Sequence, residues 1–180
     1  MLNFTKKKGK YKFIPNYGVE IIENNIILNI NDNKDEILNK LHLSQSNFEK
    51  TIFKYPDQND IVEESIWIYD ATISLTFRNN ILSLIEVNHG ENLYYDDINI
   101  GEKDYAKTIK ALITKGYKYS NNVDDTYLFN EINLMLYCPS QELRTAGIYV
   151  DNYYENEDDK KYKIRSSKWG KESIIEYEFK

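Results

Sequence analysis

One cysteine, three prolines and seven glycines among 180 residues deny this chain several architectures from the outset. A lone thiol, Cys138, excludes a disulfide framework. So little glycine and proline excludes collagen-like, linker-like and proline-rich structures. Histidine is scarce too: His42 and His89 show no HxxxH spacing, and with a single cysteine they cannot assemble a zinc set from the usual ligands. Asn31, Asn33 and Asp35 imitate the opening of a calcium loop, but Glu36 stands where the loop needs glycine and His42 where it needs a bidentate carboxylate. The glycines never cluster into a phosphate-binding loop, and no GxSxG elbow is present. No metal or cofactor is therefore expected. Apolar stretches are short as well, and those at 19–22 and 26–28 end far below the roughly 20 residues of a membrane-spanning helix. Met1 to Thr5, followed by Lys6, Lys7 and Lys8, lacks the apolar segment of about 7–15 residues that a secretory signal carries. The expected location is the cytoplasm, without membrane association.

What the chain has instead is acid, tyrosine and β-branched residues. Twenty-nine Asp and Glu against 23 Lys and Arg give a net charge of −6, so the average field repels phosphate backbones and attracts basic surfaces. Only Arg78, Arg144 and Arg165 offer the bidentate grip suited to phosphate or guanine, and nucleic acid is not expected as a partner. Lys6, Lys7, Lys8, Lys10 and Lys12 read as a solvated terminal run. Asn3 to Thr5 matches a glycosylation triplet, an expected coincidence in an asparagine-rich chain.

Local propensity favours strands. Ile73, Leu75 and Phe77 alternate onto one face, Asn79 and Asn80 suit a tight turn, and 81–87 return, which predicts a hairpin. A second alternating run over 132–137 halts at Pro139 and resumes at 147–150. Asn33 or Asp32 can cap a helix carrying Ile37, Leu38 and Leu41, and 103–115 places Ile109, Leu112 and Ile113 on one stripe ahead of Gly116. Further strands are expected at 13–22, 26–30, 162–165 and 174–179. The pattern predicts an α+β fold in one domain, 1–180: an antiparallel sheet with two helices on one face, arranged as two tandem helix-hairpin units over 33–88 and 102–151.

No reactive constellation emerges from this arrangement. Cys138, beside Pro139 in a strand pattern, reads as a buried inert thiol, and Asn88 to Glu91 around His89 reads as turn chemistry. The feature that stands out is acid and aromatic residues set together in loop-like positions. They occur as Tyr94, Tyr95, Asp96, Asp97, then as Asp124, Asp125 ahead of Tyr127, and most densely as Asp151, Tyr153, Tyr154, Glu155, Glu157, Asp158, Asp159. Asp57, Asp60, Glu63 and Glu64 form a fourth group before Trp67. Tyrosine brings rigid contact area with a polar tip, and carboxylates speed encounter with a cationic partner. The expected role is non-enzymatic binding of a basic protein, with these residues as steering groups and anchors. The alternatives are a hydrolase built from carboxylates, or a scaffold or small-molecule module with an aromatic pocket. Oligomeric state is left open.

In the tandem pattern over 33–151, carried by 73–87 and 132–150, the chain resembles beta-lactamase inhibitory protein and the small immunity proteins that neutralise bacterial polymorphic toxins. The resemblance implies inhibition without catalysis, by covering a toxin's active site or a surface near it, and it transfers no contact residues.

Overall fold

The computed structural model describes residues 10–44, 48–56, 63–68, 72–88, 92–101, 104–121, 125–151, 153 and 162–180. The chain opens with β1 (Tyr11–Ile14) and then runs twice through the same series of elements. The first pass is β2 (Gly18–Ile21), β3 (Ile26–Asn29), α1 (Lys34–Lys40), β4 (Glu49–Lys54), β5 (Glu63–Ile68), β6 (Ile73–Arg78) and β7 (Ile81–Asn88). The second is β8 (Leu93–Tyr95), β9 (Ile98–Asn99), α2 (Tyr105–Thr114), β10 (Ser120–Asn121), β11 (Thr126–Phe129), β12 (Leu134–Tyr137) and β13 (Thr145–Tyr149). A hairpin of β14 (Tyr162–Lys168) and β15 (Glu172–Phe179) follows.

Sheet order makes the two passes mirror images. The smaller sheet runs β3-β2-β1-β8-β9, symmetric about β1, and the larger runs β10-β11-β12-β13-β7-β6-β5-β4-β15-β14, so the passes meet where β13 pairs antiparallel with β7. The helix starts correspond as well: Asn33 bridges to Ile81 at the start of β7, and Asp104 to Glu142 just before β13. Ahead of each helix stands an Asn-Ile pair, Asn29-Ile30 and Asn99-Ile100, with both isoleucines buried.

Local chemistry fixes these elements. Asn79 (φ 50°) and Asn80 (φ 65°) both occupy the left-handed region, as a two-residue hairpin turn between right-twisted strands requires. The Asn33 side chain accepts the Asp35 N–H at 2.9 Å and caps α1, whose first turn carries Asp35 and Glu36 toward the positive end of the helix. Gly116, at φ 96°, ends the turn after α2.

The expected α+β architecture is overturned. The fold is mostly β, with fifteen strands against two α-helices among the described residues, and both sheets are mixed, because β1 pairs parallel with β8 and β15 parallel with β4. The helix-hairpin unit is corrected too, since each helix is preceded by two strands and followed by four. Helices are a minor part of the cover over the core. One buried cluster takes Phe13, Val19, Leu28 and Tyr95 from the smaller sheet, Ile37, Leu41, Ile109 and Leu112 from the helices, and Ile66, Leu75, Phe77, Ile85, Leu134 and Ile148 from the larger sheet. A second apolar sheet thus does the work assigned to helices. Each buried Leu, Ile or Phe of this kind contributes about 1.5–3 kcal/mol. Strand alternation puts Leu84, Leu128, Met135 and Tyr149 on the opposite, outer face of the larger sheet, where they form a separate cluster with Tyr153.

Candidate functional site

The acid and aromatic groups separate into three kinds of place. The first group lies on β8 and its turn into β9. Asp96 (φ 53°) and Asp97 are exposed, and the Lys115 ammonium just beyond α2 donates to Asp96 Oδ2 at 2.7 Å and to Asp97 Oδ1. Hydrogen bonding from Lys115 holds the Asp97 carboxyl below the usual carboxylate range, and the pair of carboxylates pushes Lys115 up in turn. Tyr94 is half-buried, with the Lys10 ammonium 5.3 Å from its ring centroid. Tyr95 corrects its expected role as an anchor. It is fully buried, meets Tyr117 edge-on with centroids 6.1 Å apart, and its hydroxyl is pushed up chiefly by burial.

The second group lies at β11. Asp125 is exposed, and its carbonyl accepts the Cys138 N–H at 2.9 Å. Tyr127 lies among rings, 5.9 Å from Tyr105 and 5.1 Å from Tyr119, while Tyr119 also reaches Phe129 at 5.6 Å. Burial and then the Tyr105 hydroxyl push the Tyr127 phenol up to about 12. Burial, with the Asp125 charge adding to it, pushes the Cys138 thiol up to about 12, so this cysteine is a packed, neutral group.

These two groups converge, although about thirty positions separate them in sequence, because the segment after α2 touches both. Lys115 holds Asp96 and Asp97, Tyr117 meets Tyr95, and Tyr119 meets Tyr127 and Phe129. The outcome is a surface with exposed carboxylates at Asp96, Asp97 and Asp125 and with Tyr119 38% exposed. Tyr105, Lys115, Tyr117 and Tyr119 are additions that the sequence reading missed. The available signal was the crowding of aromatics just past the glycine stop of α2.

The remaining groups lie elsewhere. Asp151 is exposed and accepts from Asn133 Nδ2 at 2.8 Å. Tyr153, expected as an anchor, is only 3% exposed: it packs on the outer sheet face with the Arg78 guanidinium 4.1 Å above its ring. That face is opposite the one carrying the main core. Tyr154, Glu155, Glu157, Asp158, Asp159 and Asp124 lie outside the described residues, as do Asp57 and Asp60. Glu63 and Glu64 are buried and paired, Glu63 Oε2 accepting from Arg78 Nε at 2.6 Å and Glu64 accepting from Lys34.

Among the described residues no three His, Cys, Asp or Glu side chains gather as a metal site would require. The described carboxylates of the acidic groups are engaged with cations or amides, or face solvent. No helix among the described residues is long and apolar enough to cross a membrane. Comparison with protein-family models, with curated proteins and with solved structures gives no match, so the geometry stands as the sole guide to function.

Proposed function

We propose that the chain is a non-enzymatic, immunity-type inhibitor that acts in the cytoplasm by covering a basic toxin domain with the surface around Lys115 to Tyr119. The observation that carries this reading is the convergence of two remote acid and tyrosine groups on that one segment. Lys115 cancels part of the Asp96 and Asp97 field, but it holds both carboxylates in fixed positions beside an exposed phenol, which lowers the ordering cost of an interface. Carboxylates at the rim steer a cationic partner, and Tyr119 supplies contact area.

The test uses a basic toxin domain encoded beside this chain. Wild type is expected to bind and inhibit it. Asp96→Lys, Asp97→Lys and Asp125→Lys combined should slow association by about tenfold or more at low salt, with the difference shrinking as ionic strength rises. Absence of binding removes the inhibitor reading, whereas binding with an unchanged association rate moves the interface to another surface.

A further inference from the structure

The larger sheet ends at β14, and this edge differs from the rest of the molecule. Every residue from Lys163 to Lys168 is exposed, so the strand is covered on neither face and rests on its pairing with β15. Among the described residues β14 stands last in the sheet order, so its outer edge presents backbone groups with no strand paired to them there. In a chain of net charge −6, residues 162–180 hold five Lys or Arg against three Glu, and β14 itself carries Lys163, Arg165 and Lys168 with no acid. Two large apolar side chains accompany the cations: Ile164 is 58% exposed, and Trp169, where the hairpin turns, is 72% exposed.

Register sorts these side chains by face. Lys163, Ser166 and Lys168 oppose Glu178, Glu176 and Ile174, while Ile164 and Ser167 oppose Tyr177 and Ile175. A register shift between Ile164 and Ser166 sets Arg165 in a bulge. One face is therefore charged and the other largely apolar. Lysines and a bulge are also how sheets discourage edge pairing, and here they repel a second copy of the same edge, because antiparallel self-pairing brings Lys163 toward Lys168 or Arg165 toward Arg165. They do not repel an acidic strand. The Lys163–Glu178 pair at 3.2 Å is exposed on both sides and yields readily to a competing carboxylate.

We propose that β14 takes an extended segment of a partner protein by strand addition, and that the segment alternates acidic and apolar residues. Its carboxylates lie along Lys163 and Lys168, its apolar residues lie against Ile164, and its backbone completes the ladder. This inference does not depend on the inhibitor reading, whose surface lies around α2 and β11.

The probe is a dye-labelled peptide containing Glu-Val-Glu-Val-Glu-Val, followed by fluorescence anisotropy on the full chain at low salt. It should bind, and a version N-methylated at alternate backbone nitrogens should lose at least tenfold in affinity, because methylation removes ladder donors without changing charge. Lys163→Glu with Arg165→Glu and Lys168→Glu should lose about tenfold or more and should gain the Lys-Val counterpart peptide. Since the β14 side chains are exposed, an unchanged circular dichroism spectrum and melting point are expected for this variant. Should it nevertheless unfold, wild type with the methylated peptide remains the deciding comparison. Equal binding of both peptides overturns strand addition. Stronger binding of a single-stranded oligonucleotide or of anionic phospholipid vesicles than of the peptide assigns the edge to those ligands instead, and dimerisation lost in the charge-reversed variant assigns it to a second copy.

Discussion

The two passes through the same topology use their residues differently. The first builds its larger-sheet strands six, six, six and eight residues long, whereas the second makes do with two, four, four and five. The first locks its rim with ion pairs, Lys34–Glu64, Lys40–Asp32 at 2.6 Å and Arg78–Glu63. The second, with a longer helix and shorter strands, gathers Tyr105, Tyr117, Tyr119 and Tyr127 on the segment after α2 and beside it, and leaves Asp96, Asp97 and Asp125 facing water. On the reading proposed above, one copy of the topology serves as scaffold and the other carries recognition.

The sharpest way to break this contrast is to ask whether the two passes fold as one. Phe77 on β6 and Leu136 on β12 occupy corresponding strands and belong to the same buried cluster. Phe77→Ala should cost about 3–5 kcal/mol and Leu136→Ala about 2–5 kcal/mol. Trp67 and Trp169 both lie outside the second pass. Urea unfolding read by tryptophan fluorescence and by far-ultraviolet circular dichroism should therefore shift together for both variants, and separated transitions would divide the molecule in two.

Next in size is Arg78→Ala. It strips the partner from the buried Glu63 carboxylate and the cation from the Tyr153 ring, and it should destabilise by about 1–3 kcal/mol. Lys115→Ala in the second pass, where every group involved faces water, should leave the urea midpoint unchanged while altering salt-dependent binding. Equal stability losses for the two would erase the division between scaffold and recognition.

A smaller effect comes from Glu86 on β7, where the passes meet. Burial raises its carboxyl above the ordinary range, against a hydrogen bond from Ser74 that lowers it. A raised folded value means that the folded state holds the proton more tightly than the unfolded chain, whose glutamate titrates near about 4.3. The contribution is then fully favourable below that pH and is lost as pH rises through the folded value. Glu86→Gln should raise the urea midpoint at pH 7–8, with the gain fading as pH falls toward about 4. A pH-independent difference would remove burial as the cause. Least visible is Cys138, whose raised thiol should resist a disulfide reagent at pH 8 in the native protein and react once urea unfolds it.

The hairpin at Asn79-Asn80 and the cores of α1 and α2 were legible in the sequence, because each rests on a local signal: a turn that tolerates positive φ, a capping asparagine, a stripe ended by glycine. The β8–β9 hairpin was not. Strands of three and two residues show too little alternation to register, and Tyr94 to Asp97 read as an acid and aromatic loop instead of a strand and its turn. The nine-residue acidic run at 151–159 around Tyr153 hid its burial for another reason. What covers that ring is Arg78, a partner supplied by a distant strand, and no local pattern announces it. The convergence at Lys115 likewise depends on tertiary packing, α2 against β9, that brings remote segments side by side.

The parallel pairing of β15 with β4 has a consequence for synthesis. Both seven-element passes precede β15 in the chain, so during synthesis the flank of β4 waits without its neighbour until residues 172–179 have been made. Products stalled before β15 would expose Thr51, Ile52 and Phe53 along an uncapped border, which makes the β14–β15 hairpin a built-in safeguard against clumping of the newborn polypeptide.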